Sequence, residues 1–142
     1  LSVPQEAIEK GVAYFQTCQS SDGGFGYTSS SGPNGPRTAI GCLVLALAKK
    51  KETAPFQSAF KFLKRASKSS SYYHYFLYYG SQSFFHASPE EWNAWNRENI
   101  QELKQSQNPD GSWDGQFGTT FSTAASLLSL ALNYRFLPIY ER

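Results

Sequence analysis

An all-α fold is predicted, three helical hairpins of the kind that stack into an α-solenoid or toroid. Two observations predict it. The first is a motif stated twice: Gln19-Ser-Ser-Asp22-Gly23-Gly-Phe25 and Gln107-Asn-Pro-Asp110-Gly111-Ser-Trp113 both read Gln, two spacers, Asp-Gly, a spacer and an aromatic. Each follows a helix-like stretch and precedes an apolar run that begins with Thr-Ala, at Thr38-Ala39 and Thr123-Ala124. A repeat unit of about 44 residues, the size of one helical hairpin, fits twice between Gln19 and Gln107. The second observation is alternation. Amphipathic stretches with charged outer faces alternate with stretches almost free of charge, as expected for an outer ring of helices facing water and an inner ring enclosed by it.

The first helix is expected from Pro4, suited to a first helical position, to Cys18, with Ala7, Ile8, Val12 and Phe15 on its buried face. The Gly-, Pro- and Ser-rich segment from Gln19 to Pro36 stops it. The second helix, Arg37 to Lys49, is apolar almost all round and is expected to be surrounded by protein. Lys49, Lys50 and Lys51 close it by opposing the negative helix end. The third starts after Thr53, an N-cap, with Pro55 in its first turn. Phe56, Ala59, Phe60, Leu63 and Ala66 form its inner stripe, with Lys61, Lys64, Arg65 and Lys68 solvated. A loop is expected at Ala66–Ser71, in the central unit that lacks the motif. The fourth helix, Tyr72 to Ala87, is dense in aromatics. The fifth opens on the capping box Ser88-Pro89-Glu90-Glu91 and carries Trp92, Trp95, Ile100 and Leu103 on one stripe. The sixth runs from about Thr123 to Tyr134, and Pro138 stops any continuation.

Composition bounds the partners. The 142 residues carry a net charge of +2, which gives no basis for nucleic-acid binding or for an anionic membrane surface. The longest apolar run, Ala39 to Ala48, is too short to cross a bilayer. No signal peptide is visible. Methionine is absent and Leu1 comes first, so the chain is expected to be part of a longer one. Aromatic residues make up 16% of the chain, with nine Tyr and eleven Phe, enough to line a cavity. Cys18 and Cys42 make no disulfide framework and read as buried thiols, a bridge between them being the alternative.

The repeat resembles the QW motif of the squalene–hopene cyclase and protein prenyltransferase superfamily. Lys10-Gly-Val-Ala-Tyr14-Phe15, Gln19 and Gly23-Gly24-Phe25 carry the resemblance once, and Gln107 with Gly111-Ser112-Trp113 carries it more closely. Asn133-Tyr-Arg-Phe-Leu-Pro-Ile-Tyr140 is similar to the closing stretch of bacterial prenyltransferase/squalene-oxidase repeat proteins. The resemblance implies an α/α toroid with a ligand cavity inside the inner ring, of which this chain would be the C-terminal half. Its own N-terminal half, or a second copy, would then complete the ring.

The motif residues Gln19, Asp22, Gly23, Phe25, Gln107, Asp110, Gly111 and Trp113 are read as glue between repeats. The Gln amide is expected to bond open backbone groups at a neighbouring helix end, the aromatic to pack on the adjacent repeat, and Asp-Gly to make the tight turn. One carboxylate per loop is too few for Ca²⁺. The superfamily's D-x-D-D acid motif and D-x-C zinc motif are both missing. Cys42, His74 and His86 lack a carboxylate on the inner helices to complete a zinc set. No metal, cofactor or catalytic residue is therefore expected. The best functional surface is a stripe on the fourth helix, Tyr72, Tyr75, Tyr79, Gln82 and His86, which share one face at 100° per residue. Phenols, an amide and an imidazole suit a cavity for an apolar or cationic ligand. Tyr73, Leu77, Gly80 and Phe84 would pack on the other side, with Gly80 allowing close approach. The expected function is a non-catalytic binding or interaction module for an apolar ligand or peptide. The alternative is part of an enzyme acting on isoprenoid-like lipids, its acids lying elsewhere in a longer chain.

Overall fold

A computed structural model describes residues 3–66 and 72–134. The expectations for residues 67–71 and 135–140 (most of the central loop, Lys68, Pro138 and most of the closing stretch) fall outside the described residues. The described residues are all-α: α1 (Gln5–Thr17), α2 (Gly35–Leu47), α3 (Ala54–Arg65), α4 (Tyr73–Ala87), α5 (Pro89–Ser106) and α6 (Thr119–Ala131), followed by a 3-10 turn at Leu132–Tyr134. The chain parts into two compact units, one carrying α1–α3 and the other α4–α6. The expected partners of the central hairpin, α3 and α4, thus fall in different units.

Capping chemistry sets the helix starts. Asn34 accepts the Arg37 N–H at 3.0 Å, and Pro36 sits in the first turn of α2 without needing a donor. Hence α2 begins two residues before the expected Arg37. Ser88 accepts the Glu91 N–H at 3.2 Å and starts α5 where the sequence places it. Gly118, with φ +87°, ends the second motif loop, so α6 starts at Thr119 rather than Thr123.

The end of α2 differs from the expected lysine cap. Lys49 N–H bonds Ala46 O at 3.0 Å and Lys50 N–H bonds Leu45 O at 2.8 Å, a Schellman pair closing around Lys49 at φ +59°. That position favours glycine. Strain of about 1–2 kcal/mol is relieved by Lys49→Gly, against about 0.5–1 kcal/mol of extra unfolded-chain freedom. Urea unfolding should therefore register a net gain of about 0.5–1 kcal/mol for Lys49→Gly. A gain equally large for Lys49→Ala would show that the backbone there is unstrained.

In the first unit the core is built from α2 and α3. Thr38, Ala39, Cys42 and Leu45 on α2 are fully buried, and Phe56, Ala59, Phe60 and Leu63 on α3 are buried against them. Ala66 is half-buried. On α1 only Val12 is buried. Ala7 and Ile8 are exposed, contrary to the expected stripe, and Phe15 is half-buried. Leu47 is exposed as well, so α2 is not enclosed on every side.

The second unit is assembled around Trp95. Its ring stacks on Phe84 at 4.4 Å and meets Phe76 edge-on, while its indole N–H donates to Ser81 Oγ at 2.9 Å. Trp92 packs on Phe85. A Cβ on Gly80 would stand 3.5 Å from Trp95, an ordinary contact, so close approach there does not require glycine. Asn99 joins Trp92, Trp95 and Leu103 on the buried stripe of α5, and Ile100 is exposed instead. Asn99 Nδ2 donates to Ser129 Oγ at 3.2 Å, and Ser129 Oγ donates to Ser126 O at 2.7 Å. Leu127 and Leu128 leave an apolar ridge of α6 in solvent, so α6 too is not surrounded by protein.

Candidate functional site

The two motif loops share a backbone turn and its glutamine bond, and differ in the side chains around the aspartate. Gln19 Nε2 donates to Gly23 O at 3.1 Å, and Gln107 Nε2 to Gly111 O at 2.9 Å. Ser20 N–H reaches Gly24 O and Asn108 N–H reaches Ser112 O. Gly23 and Gly111 have φ of +94° and +88°, the region that favours glycine. Asp22 accepts the Ser20 hydroxyl and the Gly24 N–H, and Asp110 accepts the hydroxyl and N–H of Ser112. These bonds, the serine hydroxyl first, hold both carboxyls below their usual range. Phe25 N–H donates to Thr38 Oγ1 at 2.9 Å, and Trp113 N–H to Thr123 Oγ1 at 3.0 Å. The threonine of each Thr-Ala pair thus anchors its loop to the following helix.

Outside the loops the repeats diverge. Gln19 Nε2 also donates to Pro55 O at 2.8 Å and Ser58 Oγ at 3.1 Å, in the first two turns of α3. The amide therefore meets α3 in these turns, on a proline carbonyl and a side chain rather than on an open helix end. Phe25 is buried, tilted against Phe15 at 6.3 Å and seated on Gly41. Trp113 is buried within its own repeat, its indole N–H donating to Leu103 O at 2.9 Å.

The α4 stripe divides in two. Tyr72, Tyr75 and Tyr79 come together with two rings from the second loop and α6, Phe117 and Phe121. Tyr75 is the hub, with ring centroids 5.2 Å from Phe117, 5.0 Å from Phe121, 6.5 Å from Tyr79 and 6.4 Å from Tyr72. Tyr72 and Phe117 are 48% and 44% exposed, so the cluster opens to solvent. Gln82 and His86 do not join it. Gln82 is buried and turns its amide back to Tyr78 O at 3.2 Å, and His86 is buried beside Phe85. Sequence periodicity could not supply Phe117 and Phe121, which lie far along the chain from α4.

Three groups on α4 are shifted toward their neutral forms. Burial lowers the His74 pKa. Burial, then the neighbouring phenols, raises that of Tyr79. Tyr73 is pushed up to about 12 by burial, then by the charge of Glu102, to which its hydroxyl donates at 3.4 Å. A Cβ on Gly115 would meet Ser122 Oγ and, at 2.7 Å, His74 Cε1, so the backbone of the second loop passes directly over both side chains. Among the described residues, no group of three His, Cys, Asp or Glu side chains comes together as a metal set.

A cavity of about 160 Å³ lies within the first unit between α1 and its loop. Tyr14, Phe15, Cys18, Phe25 and Tyr27 line it, with the Arg37 guanidinium 5.4 Å from the Tyr27 ring. Cys18 and Cys42 are free and buried, and burial pushes the Cys42 thiol up to about 12. Among the described residues no helix is long and apolar enough to cross a membrane.

No protein-family model, curated protein or solved structure matches this chain.

Proposed function

We propose that this chain is a non-catalytic binding module of α/α-toroid type, which takes an apolar ligand or peptide on the aromatic surface of α4. One observation carries the reading: Tyr72, Tyr75 and Tyr79 form a continuous, partly open ring cluster with Phe117 and Phe121. Partly exposed phenol and phenyl faces offer stacking area to an apolar or cationic partner. Burial favours the neutral forms of His74, Tyr73 and Tyr79, which suits an apolar partner. The exposed apolar residues Leu47, Leu127 and Leu128 support a ring completed by further helices, from an N-terminal half or a second copy.

The experiment is native mass spectrometry, followed by extraction of bound small molecules and titration with the species found. Tyr75→Ala with Tyr79→Ala is expected to weaken uptake at least tenfold while helical content is kept, because loss of one well-packed aromatic contact is worth about 0.5–1.5 kcal/mol beyond its buried area. Unchanged uptake by the folded double variant would remove α4 from the site.

A further inference from the structure

The cavity of about 160 Å³ in the first unit has a counterpart in the second repeat, and there the space is filled. The motifs set the correspondence. Gln19 matches Gln107, Phe25 matches Trp113 and Thr38 matches Thr123, so Tyr14, Tyr27 and Arg37 stand where the second repeat has Glu102, Gly115 and Ser122. Two rings of α4 lie against those three positions. Tyr73 donates its hydroxyl to Glu102 at 3.4 Å, and His74 stands with Ser122 over Gly115, where a Cβ would meet both. In the first unit the same place is the cavity, lined from α1, the first loop and α2.

Its chemistry suits a ring that carries an acid group. Phe15, Phe25, Ile40 and the Cys18 thiol make an apolar wall. An apolar cavity of about 150 Å³ accepts benzene. Arg37 is the one charged residue on the lining. Its guanidinium donates to Gly32 O at 2.9 Å and lies 5.4 Å from the Tyr27 ring, and among the described residues no carboxylate pairs with it. A guanidinium has five N–H donors in a planar fork that matches a carboxylate, so capacity is left after the Gly32 bond. Arg37 also lies in the first turn of α2, which carries no acidic residue and whose dipole favours an anion. The second repeat sets a carboxylate beside this space and takes a phenol; the first sets a guanidinium there and calls for an acid.

We propose that this cavity is a binding site for a small aromatic carboxylate, its ring against Phe15, Phe25 and Ile40 and its carboxylate on the Arg37 guanidinium. The site is separate from the aromatic surface of α4 and selects the opposite charge from a cationic ligand held there.

The test is a fluorine NMR titration of the unaltered chain with para-fluorophenylacetate and with its uncharged isostere para-fluorophenylacetamide, the backbone amide shifts being followed in parallel. The acid is expected to bind at least tenfold more tightly than the amide, the scale of one charge-assisted hydrogen bond, and to move the Gly26, Tyr27 and Ile40 amides. Arg37→Gln is expected to bring the acid down to the affinity of the amide and to leave the amide unchanged. Helical content should be kept, because the Asn34 cap bonds the backbone N–H of residue 37 and not its side chain. Absence of binding by either compound, equal affinity for the two, or shifts confined to Tyr75 and its neighbours overturns the proposal; each is read on the unaltered chain, whatever the fate of the variant. The Tyr75→Ala, Tyr79→Ala chain is expected to bind the acid unchanged, which separates failure of this site from failure of the α4 surface.

Discussion

Gly23→Ala is expected to cost about 2–6 kcal/mol, adding strain of about 1–3 kcal/mol at a positive φ to overpacking of about 1–3 kcal/mol. The overpacking is severe because the obstacle is backbone: the new methyl meets the carbonyl of Ser58, in the second turn of α3. A flexible side chain could swing away; a helix must shift as a body, taking with it the Gln19 bonds to Pro55 and Ser58. Gly111→Ala is the matched control. Its φ differs little, +88° against +94°, and its methyl meets only the end of the Gln107 side chain at 3.9 Å. It should cost the conformational strain alone, about 1–3 kcal/mol. Urea unfolding of both variants, followed by circular dichroism, gives the difference. Equal losses would mean that α3 is not seated on the first loop. A small loss at Gly23 would mean that the loop's conformation is not the one described.

How much of this was legible in the sequence depends on how locally each feature is caused. All six helices were legible, because apolar spacing and caps such as Ser88 are properties of neighbouring residues. Boundaries slipped where one residue type serves both loop and helix. Asn34-Gly35-Pro36 has loop composition, yet asparagine caps and proline is tolerated in a first turn. Burial slipped on α1, where the stripe is real but its covering partner is not supplied by α2: periodicity reports which face is apolar, not whether anything lies against it. Asn99 was readable in principle, since it falls between Trp95 and Leu103 on one stripe, but a polar residue there reads as solvent-facing until its partner Ser129 is known. The tyrosine face followed from helical spacing, whereas Phe117 and Phe121 reach it through tertiary folding alone. The repeat told most. It implied equivalent loops, and the bonds from Phe25 and Trp113 to the two threonines are the physical content of the Thr-Ala signal.

Phe25→Ala is expected to cost the first unit about 3–5 kcal/mol, the range for emptying a buried aromatic site. The ring is 1% exposed and lies on Gly41, where a Cβ would approach its Cδ2 to 2.5 Å. That contact makes a sharper prediction than the loss itself. Alanine in place of a mid-helix glycine ordinarily stabilises by about 0.5–1 kcal/mol. At Gly41 the sign should reverse, because the methyl is driven into the ring, for a net loss of about 1–3 kcal/mol. With Phe25 already truncated the obstacle is gone. Gly41→Ala should then recover its ordinary helix gain and fill part of the cavity, so the double variant should be more stable than Phe25→Ala alone. The two substitutions are thus coupled, as expected for residues in direct contact. Four urea curves complete the cycle. If Gly41→Ala changes stability equally in both backgrounds, the ring does not rest on Gly41, and the first motif's aromatic is held by something other than the bare helix surface beneath it.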